Sequence, residues 1–228
     1  MEIINDIRRQ LNKYRNKKAE DIGKRFFKEK IQAYGVKTAF VHKIAREQFQ
    51  KIKNKPKKEI FQLCEELQQS NYMEEAFIAA NWSYRLQKNY EKKDFQVFEQ
   101  WVKKYINNWA KCDTFCNHTV GAFLEKYPEY VQQLKIWAKS ANRWVRRAAA
   151  VSLIIPAKKG LFLNDIFAIA DLLLLDKDDL VQKGYGWLLK EASRQHPTAV
   201  FTYVTAHKKN MPRTALRYAI EKLPEKLR

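Results

Sequence analysis

Three cations, Lys111, Arg147 and Lys183, are separated by the same step of 36 residues, and one acid, Asp113, stands just after the first of them. Cations in such a row can neutralise successive phosphates of a polyanion. Asp113 follows Trp109 by four residues, which places carboxylate and indole on one face of a helix. It also borders an apolar stripe of Cys112, Phe115, Cys116, Val120 and Phe123. A carboxylate in that position is either a capping or structural acid with hydrogen-bond partners, or it faces a cleft. On the 36-residue grid Trp187 falls in line with Val151 and Phe115, so it is expected near the same surface. An acid with two electron-rich indoles is the set of groups that stabilises a cationic centre.

The elements that must position these residues follow from the same period. Met73, Trp109, Val145 and Val181 share the grid, as do Ala76, Cys112, Ala148 and Gly184, the small residues marking close helix approaches. A period in this range signals stacked helical repeats, in which equivalent positions line one concave surface. Glu75 ends the cationic row at its N-terminal side, so the groove is expected over the middle and C-terminal repeats. Apolar residues recur at helical spacing throughout, for example Ile3, Ile7, Leu11 and Tyr14, and later Ala215, Leu216, Ala219, Ile220 and Leu223. Gly35, Asn54 to Pro56, Ser70-Asn71, Pro128, Ser140 to Asn142, Lys158 to Gly160, Pro197 and Pro212 punctuate them. The expectation is an all-α solenoid of about six helix pairs with a concave basic groove, forming a single domain over residues 1–228.

Composition narrows the partner. Lys and Arg number 44 against 25 Asp and Glu, a net charge of +19, which attracts polyanions. Nucleic acid fits this balance better than a membrane surface, because the most apolar stretch, Ile166 to Leu175, is short and interrupted by Asp171. The N-terminus lacks the apolar segment of a signal peptide, and three unevenly spaced cysteines make no disulfide framework. A cytoplasmic, nucleoid-associated monomer without membrane contact is expected. Cys112, Cys116 and His118 lack the paired spacing of a structural zinc site, so no metal and no cofactor is expected. Gly-rich phosphate loops and hydrolase elbows are absent from the sequence.

Taken in order, several segments resemble the AlkD-type DNA alkylation repair glycosylases, a family of HEAT-like helical repeats. They are RFFKEKIQAYGVKT from Arg25, the Trp109-to-Asp113 segment, NRWVRRAA from Asn142, KGYGWLLKE from Lys183 and MPRTALRYAIEKL from Met211. The resemblance implies that Asp113 is the catalytic carboxylate, that Trp109 and Trp187 wall the lesion cleft, and that Arg147 holds the DNA backbone beside the lesion. It further implies excision of N3- or N7-alkylated purines from double-stranded DNA without full base flipping. The chain departs from better-studied members at Asn108 and Ala110, where they carry an additional Trp and Asp, and it has Lys190 in place of an Arg and Ala39 in place of a Pro.

The implied chemistry is physically consistent. An alkylated purine such as N7-methylguanine or N3-methyladenine is already cationic and leaves as a neutral base. The protein then has only to stabilise an oxocarbenium-like sugar, which a fixed carboxylate between indole faces does electrostatically. Asp113 can also orient the attacking water. Arg146, Arg147, Lys111, Lys183, Lys190, Arg213 and Arg217 are the expected DNA contacts, holding phosphates without reading sequence. The expected activity is that of a monofunctional alkylpurine DNA glycosylase. The rival is a non-catalytic HEAT-like protein that binds branched or damaged DNA through the same cations.

Overall fold

A computed structural model describes residues 2–227 and contains, among them, fifteen α-helices and no strand. Three helices open the chain: α1 (Glu2–Lys13), α2 (Lys17–Lys24) and α3 (Thr38–Ile52). Five helical hairpins follow. In the first, α4 (Lys57–Gln69) turns into α5 (Met73–Arg85). In the second, α6 (Asp94–Tyr105) turns into α7 (Trp109–Phe115), which runs through a π-helical turn, Cys116–Val120, into α8 (Gly121–Lys126). The third joins α9 (Val131–Trp137) to α10 (Arg143–Val151) and its continuation α11 (Ile154–Lys158). The last two are α12 (Leu163–Leu173) with α13 (Asp179–Ala192), and α14 (Pro197–His207) with α15 (Arg213–Ile220). The expected all-α repeat architecture is present, with five regular hairpins and a three-helix N-terminal section in place of six equal pairs.

The second helices, α5, α7, α10, α13 and α15, pack successively into one row, and the first helices pack into another behind them. One apolar core runs between the rows from Ile4 to Ala219. The stripe that flanks Asp113 in the sequence belongs to it: Cys112, Phe115, Cys116, Val120 and Phe123 are buried. Buried indoles are satisfied as well as packed, Trp82 donating to the carbonyl of Ala45 at 2.8 Å and Trp137 to Glu99 at 2.8 Å. Gly186 permits the tightest approach in the row, since a Cβ there would lie 2.7 Å from the carbonyl oxygen of Ala215 on α15. No helix of the described residues is long and apolar enough to cross a membrane.

Side-chain caps set where the second helices begin. Asn108 accepts from the backbone N–H of Lys111 at 3.0 Å, Asn142 from Trp144 at 2.9 Å, and Asp178 from Leu180 at 2.9 Å and Val181 at 3.2 Å. These caps expose a register the period alone misplaces. The repeats containing Asn71 and Asn107 are offset by 36 residues, but those containing Asp113 and Arg147 are offset by 34. The hairpin between them is shorter because its first helix is interrupted, a 3-10 turn at Pro128–Tyr130 preceding the seven residues of α9.

Candidate functional site

Counted from its cap, the fifth residue of each second helix is Phe77, Asp113, Arg147, Lys183 and Arg217 in turn. The row of equivalent positions therefore contains the acid itself, and Lys111 does not belong to it. Lys111 is third from its cap, equivalent to buried Val145 and Val181, and is only 3% exposed. Its ammonium donates to the backbone and side-chain oxygens of Asn71 at 3.1 and 2.6 Å, and burial lowers its pKa to about 8. The expected phosphate contact at Lys111 is thus corrected: the side chain is structural and sits inside the wall. Glu75, at the matching position of α5, is likewise buried, taking hydrogen bonds from Arg8 and the Tyr34 hydroxyl.

Asp113 and Arg147 are brought together. The guanidinium donates from Nε and Nη2 to the two carboxylate oxygens at 2.9 and 2.7 Å, a bidentate pair, and from Nη1 to the carbonyl of Leu180 on α13. Arg147 is therefore fastened to three successive second helices: its own, the one bearing the acid and the one beyond. Its side chain is 6% exposed and that of Asp113 is 16% exposed, so the acid is the less buried partner of the pair. Burial pushes the Asp113 carboxyl above the usual carboxylate range against the opposing pull of Arg147. Burial likewise works against the Arg147 charge, but Asp113 more than offsets it and the guanidinium pKa is raised. Arg147, expected to hold the DNA backbone, has all three guanidinium nitrogens engaged within the protein.

Trp109, first residue of α7, is half-buried, and one ring face is stacked on Phe27 with centroids 5.1 Å apart and planes 12° from parallel. Trp187 lies one turn beyond Lys183 on α13, half-buried, its indole N–H donating to Glu191 at 3.1 Å. No ring contact joins Trp109 to Trp187 among the described residues.

The remaining cations divide into engaged and open. Arg146 closes the α12–α13 turn, bonding Asp176 at 2.5 and 3.3 Å and the carbonyls of Ser140 and Ala141. Lys190 pairs with Glu221 at 3.2 Å and lies over the Tyr218 ring, joining α13 to α15. Lys183, which also pairs with Asp179 at 3.4 Å, converges with Arg213 and Arg217 on one cleft of about 440 Å³ with Thr214, Tyr218 and Glu221. Arg213 and Arg217 are exposed and have no ion-pair partner among the described residues.

The segment between α2 and α3 is a part of the site that no periodicity reveals. The Glu74 carboxylate of α5 accepts the backbone N–H groups of Tyr34, Gly35 and Val36 at 3.0, 2.9 and 3.1 Å, anchoring its root. From there residues 25–32 cross the start of the second-helix row. The N–H of Met73 donates to Gln32, Phe27 covers Trp109, Glu29 reaches Arg143 and Lys28 reaches Asp179. In the sequence only the cluster of aromatics and charges around Phe26 and Phe27 hints at such a role.

Comparison with known proteins bears on this arrangement. The family model described as DNA alkylation repair enzyme matches residues 7–223. Among solved structures, one described as a predicted DNA alkylation repair enzyme from Enterococcus faecalis superposes with a TM-score of 0.82 at 15% identity, over 92% of this chain and 97% of that one. The Streptococcus mutans UA159 protein smu.31 superposes with a TM-score of 0.59 at 22% identity, over 82% of this chain and 98% of its own. At these identities the two structures speak for the fold. No curated protein sequence matches the chain.

Proposed function

The chain belongs to the DNA alkylation repair enzyme family, and from that premise we propose that it is a monofunctional DNA glycosylase acting on cationic alkylpurines. The observation that carries the reading is the bidentate Asp113–Arg147 pair, whose acid, the less buried partner, lies one helical turn from Trp109. A buried carboxylate resists ionisation, and a guanidinium on both its oxygens favours the charged form and fixes its direction. Asp113 then stabilises the sugar as positive charge grows on it, while N7-methylguanine or N3-methyladenine departs as a neutral base. Arg147 acts as a positioning residue in this scheme. The indoles of Trp109 and Trp187 offer electron-rich faces to the same charge.

Duplex DNA is held by the cations of the α13–α15 cleft, chiefly Arg213 and Arg217, unpaired among the described residues, with Lys183 beside them. Contacts of this kind set position without reading sequence, which suits a protein that must meet damage anywhere. The rival reading, a non-catalytic binder of branched or damaged DNA, draws on the neutralisation of Asp113 by Arg147 and on Phe27 covering one face of Trp109.

Incubation of wild-type protein with methylated duplex DNA, followed by chromatography of released bases, separates the two. Release of free 7-methylguanine or 3-methyladenine above the spontaneous rate, with the strand left uncut, is the expected result. Tight binding of the duplex or of branched DNA with no base released would move the protein to the non-catalytic class.

A further inference from the structure

The site leaves one strong cation unexplained. Arg143, the first residue of α10, is 35% exposed along its side chain and lies over its neighbour Trp144, with the guanidinium carbon 4.4 Å from the ring centroid. Two acids flank it. Asp178, already committed as the cap of α13, sits 3.2 Å from Nε with its other oxygen. Glu29 of the crossing segment takes a hydrogen bond from Nη2 at 2.7 Å across a sequence separation of 114 residues.

This second contact is poorly made. Glu29 uses one oxygen only, and its buried Oε2 has no hydrogen-bond partner; Arg143 Nε, despite its nearness to Asp178, has none either. Two orphaned polar atoms at one ion pair carry a desolvation cost that a better-fitting ligand would remove. A phosphodiester presents two oxygens at a spacing that accepts Nε–H and Nη–H together, side-on, as a single carboxylate oxygen cannot. Lys28, the preceding residue, contributes a second ion pair of the segment, sharing the Asp179 carboxylate with Lys183 at 3.2 and 3.4 Å.

We infer that Arg143 is a phosphate-binding residue of the groove whose place is held, until DNA arrives, by Glu29 acting as an internal stand-in for a backbone phosphate. The inference rests on the proposed DNA-binding reading and adds an autoinhibitory contact to it. The Trp144 face keeps the guanidinium oriented while its partner changes, and Asp178, held in place by capping α13, yields the Nε edge to the phosphate. The crossing segment stays rooted at Glu74, and only its tip, residues 27–29, has to move. Exchange of Glu29 for a phosphate releases fewer counterions than binding to a free arginine, because the displaced carboxylate must itself be neutralised from solution.

Fluorescence polarisation with the full chain and an undamaged duplex tests this independently of any excision. With log K falling by about 0.9 per log unit of salt for each phosphate neutralised, one contact freed from internal competition is worth about eightfold near 0.1 M salt. Glu29→Gln is expected to tighten binding by about that factor and to steepen the salt dependence by about 0.9. Both changes are expected to vanish when Arg143→Gln is added to Glu29→Gln. A Glu29→Gln protein that binds no tighter than wild type overturns the inference, as does an equal gain in the Arg143→Gln background, which would be the general effect of removing one negative charge. Failure of wild type and every variant to bind the duplex even at low salt would instead sink the DNA-binding reading itself.

Discussion

The charged groups along the second-helix row are built in two opposite ways. At α7 and α10, Asp113 and Arg147 are enclosed, bidentate and tied through Leu180 to a third helix. At α13 and α15, Lys183, Arg213 and Arg217 line an open cleft, and the two arginines have no partner among the described residues. Fixing a charged pair in a low-dielectric wall is costly, and it makes sense where direction matters more than affinity. Exposed cations cost the fold little and serve a partner whose position along the surface is not fixed in advance. On the proposed function the difference is a division of labour, with chemistry at the enclosed pair and capture at the open one.

The largest effect expected from breaking this division is on the enclosed side. Arg147→Leu leaves the Asp113 carboxylate buried without its partner, and removal of one member of a buried pair costs about 3–5 kcal/mol. Thermal or denaturant unfolding measures this, and Asp113→Asn added to Arg147→Leu is expected to recover part of the loss. Independent, additive losses would mean that the pair is not a unit.

On the open side, Arg213→Gln and Arg217→Gln are expected to leave the melting temperature near wild type and to lower the salt slope of duplex binding by about 0.9 each. A melting temperature that falls while the slope stays fixed would place both arginines in the fold and not in the DNA interface.

The smallest effect concerns Lys111, which belongs to neither class. Its folded pKa of about 8 lies below the unfolded lysine value near 10.4, so the unfolded chain binds more protons across that window and stability rises with pH there. Lys111→Met removes this contribution. Its melting temperature relative to wild type is expected to be highest at pH 7 and to decline towards pH 10, and parallel curves would mean that Lys111 titrates normally.

Much of the fold was legible because its causes are local. Helical spacing of apolar residues placed the repeats, and the Asn or Asp caps at Asn108, Asn142 and Asp178 mark where three second helices begin. The buried stripe beside Asp113 was readable for the same reason, and it left open an acid with committed partners or one facing a cleft. The role of Lys111 was not readable, since the period was measured on second helices and could not register two residues missing from the hairpin around Pro128. Its burial follows from its place third after the Asn108 cap, which turns it towards left-handed Asn71. The crossing segment was illegible for a different reason. Its contacts, Glu29 with Arg143 and Lys28 with Asp179, join residues 114 and 151 apart, and no local pattern encodes a pairing at that range.

Single-turnover base release from N7-methylguanine duplex, at protein concentrations that saturate the DNA, tests the division most directly when wild type is compared with Asp113→Asn. Loss of a preorganised electrostatic group predicts a fall of about 100- to 1000-fold in the release rate, with duplex affinity unchanged. Release by Asp113→Asn at the wild-type rate would contradict the account and remove the enclosed pair from the chemistry.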